Sequence, residues 1–213
     1  MIDVVLLCSG IAKGMKSYGP RSIVPIGKTN KPFILHQIAS IKKQKPRANI
    51  YIVVGFNSKK IKTIIEDEYD NVNFISHENY EKENNGGALL EALKVINNKC
   101  FIFDDGVYCS SLYNSKQSYI PILNKFNKKF NIGSISQDNN VINLFYDLPN
   151  NWAEFFFLTK EDLLKIKNIV DDKMRNMFLF EVLNYLIDKD IKFLHSEIEN
   201  KKVDKIINHK VSV

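Results

Sequence analysis

Residues 4–21, VVLLCSGIAKGMKSYGPR, decide the fold of this chain. Residues 4–7 form a short, continuous apolar run, which is typical of a strand buried on both faces of a sheet. The run leads directly into a turn of small residues around Gly10, and Lys13 and Lys16 follow. Such a loop can cradle a phosphate chain, because small residues let backbone N–H groups approach the oxygens and lysines neutralise their charge. A plain tight turn after a strand is the alternative.

The spacing of this loop excludes two common phosphate-binding motifs. No Gly-Lys-Ser/Thr follows the apolar run, so the loop is not a Walker loop. Gly10, Ala12 and Lys13 do not fit the Gly-x-Gly-x-x-Gly spacing of the dinucleotide fingerprint. The loop therefore indicates phosphate chemistry without specifying a cofactor.

The composition predicts one ordinary globular domain. The chain has 213 residues, of which 45% are hydrophobic and 25% charged. Without an apolar run of about 18 residues or a basic leader, we expect neither a membrane span nor a signal peptide. Three cysteines lack metal-ligand spacing and even pairing, which predicts reduced thiols in a cytoplasmic protein. The net charge of +6 comes from scattered lysines, which is typical of a solvated surface rather than a nucleic-acid groove and also suits phosphate-bearing substrates.

Strands and helices alternate along the first half of the chain. Strands are predicted over 4–7, 50–56, 72–76 and 100–103, and helices over 32–44, 59–66 and 88–96, with Ser58 as a cap and 84–87 as a turn. This alternation predicts an α/β sheet with a largely parallel core, whose ligands bind at the carboxyl ends of the strands.

The second half is less regular. Strands are predicted over 132–136, 152–158, 193–194 and 203–207, and helices after the cap Thr159 and over 177–187. The aromatic segment 152–158 is the strongest of these strand candidates.

Two aspartates, Asp104 and Asp105, close the predicted strand 100–103. Magnesium prefers carboxylate oxygens and keeps several waters, so one or two aspartates at a strand end are enough to hold it. Asp-Asp-Gly is also a common turn sequence, and this alternative stays open. The pair is therefore a candidate metal site at the same edge of the sheet as Gly10.

Together these motifs resemble those of the nucleoside-triphosphate transferases that make nucleotide sugars and related activated compounds. The family pattern is Leu-x-x-Gly-x-Gly-x-Arg, then Pro-Lys with an apolar run and a further Pro, then Lys-Pro-Leu-Ile. Residues 7–14, 20–26 and 31–34 are similar to these three stretches. Residues 101–105 resemble the family's metal-binding stretch, and residues 84–93, NNGGALLEAL, resemble its base-binding Gly-Thr-Ala-Gly-Ala-Leu. By length the chain is similar to the short members of the phosphocholine cytidylyltransferase type.

The resemblance implies a fold and a reaction. The fold is a three-layer α/β/α sandwich of the nucleotide-diphospho-sugar transferase type, with a mixed, mostly parallel sheet and one antiparallel strand on the substrate side. It implies one domain over 1–213, with a nucleotide-binding half (1–112) and an acceptor-side half (113–213). The reaction transfers a nucleoside monophosphate from a nucleoside triphosphate to a sugar phosphate or phosphocholine-like acceptor and releases pyrophosphate. It uses Mg²⁺ and makes precursors of surface polysaccharides or glycans. The base, the acceptor and the oligomeric state stay open.

The resemblance also implies roles for individual residues. The catalytic residues are Arg21, Lys13 and Asp105, and the metal ligands are Asp105 and Asp104. The nucleotide contacts are Leu7, Ser9, Gly10, Ala12, Lys13, Lys16, Asn85 and Gly87, with Gly87 leaving room for the base.

Several positions depart from the family pattern. Gly14 stands where an Arg that clamps the triphosphate is expected, and Arg21 replaces Lys. A second metal-binding Asp is expected near the C-terminus, where Asp204 and Asn208 are the nearest candidates. Two other functions therefore stay open. One is a degenerate member that binds a nucleotide or a partner without turnover, and the other is a GT-A-type glycosyltransferase in which Asp104 and Asp105 are part of an Asp-x-Asp metal site.

Overall fold

The computed structural model describes residues 1–11, 20–27 and 30–206. Its strands are β1 (Ile2–Cys8), β2 (Pro25–Ile26), β3 (Lys31–Pro32), β4 (Ala48–Val54), β5 (Val72–Ser76), β6 (Cys100–Phe103), β7 (Val107–Cys109), β8 (Tyr119–Leu123), β9 (Ile132–Gln137), β10 (Asn140–Tyr146), β11 (Phe155–Leu158), β12 (Phe193–Ile198) and β13 (Val203–Lys205). Its α-helices are α1 (Phe33–Gln44), α2 (Ser58–Glu66), α3 (Asn85–Val95), α4 (Lys160–Ile169) and α5 (Leu179–Asp188). Short 3₁₀ turns cover Arg21–Ile23, Asp172–Asn176 and Asn200–Lys202.

Nine strands form one mixed sheet in the order β5-β4-β1-β6-β11-β8-β12-β10-β9. The strands β5, β4, β1 and β6 are parallel neighbours, as the alternation of strands and helices predicts. The strand β11 runs antiparallel to β6 and β8, and β12 pairs parallel with β8. This confirms the predicted mixed, mostly parallel sheet. A second antiparallel strand, β10, lies between β12 and β9 and was not predicted.

Helices cover both faces of the sheet. In β1, Val5 and Leu7 belong to a buried cluster shared with α3, α4 and α5, whereas Val4 and Leu6 belong to a second cluster shared with α1 and α2. Successive side chains of a strand point to opposite faces, so one buried strand packs against both helix layers. The predicted three-layer α/β/α sandwich is therefore confirmed.

The aromatic segment 152–158 forms a shorter strand than predicted. Glu154 has a φ of 56°, in the left-handed region, and β11 begins only at the next residue. Trp152 forms an isolated bridge to Ile122 instead, and its indole N–H donates to the Phe155 carbonyl at 2.8 Å. The Glu154 carbonyl accepts the Asp104 N–H at 3.0 Å. The break in the strand therefore places Glu154 beside the carboxylate turn that follows β6.

Helix α3 begins three residues before its predicted start at 88, because Asn85, Gly86 and Gly87 form its first turn. The predicted turn over 84–87 is thus wrong. A Cβ on Gly86 would lie 1.8 Å from the Met174 carbonyl oxygen. Without side chains, the glycines let this first turn approach the segment around Met174 closely.

Two helix caps were predicted, and one is confirmed. The Thr159 hydroxyl accepts the Asp162 N–H at 3.1 Å at the start of α4. Ser58 is the first residue of α2 and not its cap, since the N-cap is Asn57 with a φ of 53°. Helix α5 begins at Leu179, two residues after the predicted start.

Two findings concern the predictions that were made from the composition of the chain. All three cysteines are buried and free. In the part of the chain that the structure describes, no helix is long and apolar enough to cross a membrane.

Candidate active site

The candidate site lies at the carboxyl ends of β1 and β6, which are neighbours in the sheet. The strand β1 leads to Gly10, and β6 leads to the Asp104–Asp105 pair. Asn85, at the start of α3, donates its side-chain N–H to Asp104 Oδ1. The Asn85 Oδ1 lies 3.9 Å from the place that a Cβ on Gly10 would take. Gly10, which begins the predicted phosphate loop, therefore lies at the same edge of the sheet as the start of α3 and the carboxylate pair.

The carboxylate of Asp105 is buried, and the described protein groups around it form hydrogen bonds with only part of it. It is 8% exposed, and its Oδ1 has no hydrogen-bond partner among residues 1–11, 20–27 and 30–206. Burial raises the pKa of Asp105 to about 7, although Arg21 opposes this rise and Asp104 adds to it. An unpaired buried carboxylate is costly, so a cation bound beside Asp105 would stabilise it.

Asp104 is better satisfied. Its Oδ1 accepts the Asn85 side chain and the Asp105 N–H, the latter at 2.8 Å. Burial raises the pKa of Asp104, and Lys205 opposes that rise. Outside the segments that the structure leaves undescribed, no cluster of three or more His, Cys, Asp or Glu is suited to a metal. Two carboxylates nevertheless fit Mg²⁺, which uses one or two of them together with waters and substrate phosphates.

Arg21 flanks the carboxylates. It opens a 3₁₀ turn, and its Cδ lies 3.3 Å from the place of a Cβ on Gly106, whose φ is +76°. The Arg21 Nε is buried and has no hydrogen-bond partner in the described ranges. A cation that interacts with Asp105 and keeps an unused donor is suited to a phosphate.

A second cation, Lys205, reaches the carboxylates from β13, and sequence reasoning missed it together with its partner Glu154. The Lys205 Nζ lies 2.6 Å from Glu154, and the two side chains are 12% and 4% exposed. Asp204, a candidate for the second metal ligand, is 63% exposed and pairs instead with Lys129 at 2.5 Å. Alternation along β13 turns Lys205 inward and Asp204 outward. The other candidate, Asn208, lies outside the described residues.

Ser9, at the end of β1, begins a chain of side-chain contacts. Its Oγ lies 2.8 Å from His77 Nδ1, and His77 Nε2 lies 2.9 Å from Glu83 Oε2. Glu83 pairs with Arg175 at 3.1 Å, and Arg175 also binds Glu91 at 3.1 Å. These contacts join the end of β1 to the segment after α4. The Ser9 hydroxyl is therefore held by protein groups.

Gly87 lies against this chain of contacts, where a Cβ would be 2.1 Å from Glu83 Oε2 and 2.8 Å from His77 Nε2. We expect Gly87→Ala to lower the free energy of unfolding by about 1–3 kcal/mol, because the two partners would have to separate. Urea denaturation measures this. Gly10→Ala is the matched control, since among residues 1–11, 20–27 and 30–206 its Cβ would meet only Asn85 Oδ1, at 3.9 Å. Equal stability of Gly87→Ala and the unchanged chain would contradict the expectation.

The other predicted residues divide into two groups. Leu7 is 2% exposed and packs in the core. Ala12, Lys13, Gly14 and Lys16 lie within 12–19, outside the described residues. The structure brings together Ser9, Gly10, Asn85, Gly87, Asp104, Asp105 and Arg21. The role of Gly87 toward a base stays a prediction.

No protein-family model and no curated protein matches the sequence, but solved structures match the fold. CTP:phosphocholine cytidylyltransferase from Streptococcus pneumoniae superposes with a TM-score of 0.76 at 17% identity, over 96% of this chain and 93% of that one. The inositol-1-phosphate CTP transferase from T. maritima gives 0.73 at 14% identity, over 96% and 88%. HddC from Yersinia pseudotuberculosis gives 0.70 at 21% identity, over 97% and 94%. The chain therefore has the nucleotide-diphospho-sugar transferase fold, and its structural neighbours are consistently nucleotidyltransferases.

Proposed function

We propose that this chain is a nucleotidyltransferase. It transfers a nucleoside monophosphate from a nucleoside triphosphate to a sugar phosphate or phosphocholine-like acceptor and releases pyrophosphate. One observation carries the proposal. At the carboxyl end of β6, Asp105 is buried, lacks a partner for one oxygen within the described residues, and interacts with Arg21. The structural neighbours support the same class of reaction. At sequence identities of 14–21%, the similarity itself shows the fold alone.

The residues of the site have distinct tasks in this reaction. Asp105 and Asp104 would hold Mg²⁺, which neutralises charge on the phosphates when it is bound. Asn85 donates to Asp104 and so fixes the orientation of that carboxylate. Arg21 would bind the α-phosphate or the acceptor phosphate through its guanidinium group. The backbone around Gly10 would hold the triphosphate, so catalysis is mainly positioning and charge neutralisation.

A pyrophosphate-release screen tests the proposal. Each of the four nucleoside triphosphates is paired with sugar 1-phosphates and with phosphocholine in the presence of Mg²⁺. We expect release with one class of pair and loss of that release on chelation of the metal. Failure of every pair would overturn the enzymatic function.

Arg21→Ala is expected to weaken the binding of a non-hydrolysable triphosphate analogue or of the acceptor by about 1.5–3 kcal/mol. This is the range for hydrogen bonds to charged groups. Isothermal titration calorimetry measures both affinities. Arg47→Ala is the matched control, because Arg47 is exposed and lies just before β4, at the edge of the sheet opposite the site. A shift within error for Arg21→Ala would mean that Arg21 serves packing alone.

A second candidate function is a degenerate member that binds a nucleotide without turnover. Two observations favour it: Gly14 stands where an Arg is expected, and Asp204 faces away from Asp105. The same experiments distinguish the two. Triphosphate binding that depends on Arg21, without pyrophosphate release from any pair, would support the binding function.

A further inference from the structure

Lys205 is a cation of the site to which the family resemblance gives no role. It lies opposite Val107 in the antiparallel pair of β13 and β7. The next residue, Ile206, donates its N–H to the Gly106 carbonyl at 3.0 Å. The strand β7 begins two residues after Asp105. Two paired strands therefore fix the Lys205 backbone beside the carboxylate turn.

The ammonium group of Lys205 is held in one place. Its Nζ lies 2.6 Å from Glu154 and 5.8 Å from the centre of the Phe130 ring. An ammonium group has three N–H donors, and one carboxylate does not use them all. A buried ion pair is weak evidence for stability, because apolar side chains of similar volume often serve as well or better. A buried lysine at this place therefore calls for a functional reason.

The charges around Lys205 supply that reason. Each of the carboxylates Asp104, Asp105 and Glu154 interacts electrostatically with two cations, Arg21 and Lys205. Without Lys205, Arg21 would be the only cation of the described residues beside these three carboxylates, and their negative charge would repel a phosphate. A point charge on a lysine is suited to bind phosphate oxygens.

We infer that Lys205 is a substrate-binding residue whose ammonium group binds the phosphate of the acceptor. The inference rests on the proposed function. Lys205 and Glu154 both come from residues 113–213, which are expected to bind the acceptor, whereas Arg21 and Asp105 come from the other half. Lys205 supplies a positive charge at the carboxylate edge of the sheet, where Glu154 alone would add a third negative charge.

The experiment compares Lys205→Met, Glu154→Gln and the double variant K205M/E154Q. Lys205→Met leaves a buried carboxylate unpaired, so we expect it to lose thermal stability. The double variant removes both charges at nearly constant volume, so we expect its unfolding temperature to return toward that of the unchanged protein. Glu154→Gln keeps the cation and is the matched control for function.

Binding of inorganic phosphate, measured by calorimetry without nucleotide, is the first readout. We expect the double variant to bind phosphate about 10- to 100-fold more weakly, as for a lost hydrogen bond to a charged group. Glu154→Gln should bind it at least as well as the unchanged protein. Unchanged phosphate affinity in the double variant would show that Lys205 only neutralises Glu154. A loss of affinity in Glu154→Gln as large as in Lys205→Met would overturn the inference equally, even if the double variant failed to fold.

Steady-state kinetics are the second readout. We expect KM for the acceptor to rise about 10- to 100-fold in the double variant while KM for the triphosphate stays the same. A rise confined to the triphosphate would overturn the assignment to the acceptor. If the unchanged protein releases no pyrophosphate with any pair, the proposed function fails. The phosphate titration still decides whether Lys205 binds a phosphate.

Discussion

Asp105→Asn is expected to slow pyrophosphate release by about 10²–10³-fold, a typical loss when one group that stabilises transition-state charge is removed. Asparagine keeps the size of the side chain but removes the charge that would hold Mg²⁺. The same change should raise the unfolding temperature in the absence of metal, because it removes a buried carboxylate whose Oδ1 lacks a partner in the described part of the chain. Rate assays and thermal denaturation with and without Mg²⁺ measure both effects.

Asp204→Asn is the matched control for this prediction. Asp204 is 63% exposed and pairs with Lys129 at the surface, where an ion pair contributes little. We expect that variant to keep both the rate and the unfolding temperature. If Asp105→Asn kept its rate and its metal affinity, Asp105 would not be the metal ligand, and Asp104 would be tested next.

Arg175→Met is expected to lower the free energy of unfolding by about 2–3 kcal/mol. This is somewhat below the range for breaking a fully buried ion pair, because Arg175 is 24% exposed. Arg175 binds Glu83, Glu91 and Asp172, and its loss would leave Glu83, which is 11% exposed, with His77 alone. Arg175→Lys keeps the positive charge but lacks the forked N–H donors of the guanidinium group. We expect it to lower the free energy of unfolding by less than Arg175→Met does.

The loss in Arg175→Met should depend on pH. Contacts with His77 and Arg175 outweigh the effect of burial and hold the pKa of Glu83 below its ordinary value. A carboxylate of this kind stabilises the folded state above its unfolded pKa, and the contribution is lost as the pH falls through the folded pKa. The two proteins should therefore differ most at neutral pH and converge under acid conditions. Lys173→Met, at an 81% exposed lysine, is the control for lost charge. A constant difference between pH 7 and pH 3 would contradict the role of Glu83.

The parallel half of the fold could be predicted because β1, β4 and β6 each contain a continuous apolar run. The strand 72–76 and the strand 100–103 have the predicted bounds. Their neighbours in a parallel sheet end at the same edge, so the meeting of Gly10 with Asp104 followed from topology. The strand β8 was missed because Pro121 lies inside it, and proline within a run argues against a strand.

The part of the site that comes from residues 113–213 could not be predicted in the same way. Glu154 and Lys205 are separated by 51 residues, and neither belongs to a local motif. Their contact depends on the left-handed backbone at Glu154 and on the pairing of β13 with β7. Local sequence propensity predicts neither the backbone conformation nor the strand pairing, because both follow from tertiary packing.

The antiparallel strand β11 has a consequence for how this protein can be made. It pairs with all four residues of β6, from Phe155 opposite Phe103 to Leu158 opposite Cys100. During synthesis β6 emerges about fifty residues earlier, and until β11 arrives it presents an unpaired, wholly apolar edge. Such edges template aggregation, and the exposure of intermediates grows with the sequence distance between partners. Translation pauses or truncations between residues 104 and 154 would therefore favour insoluble product, whereas chains that reach residue 158 can close this edge.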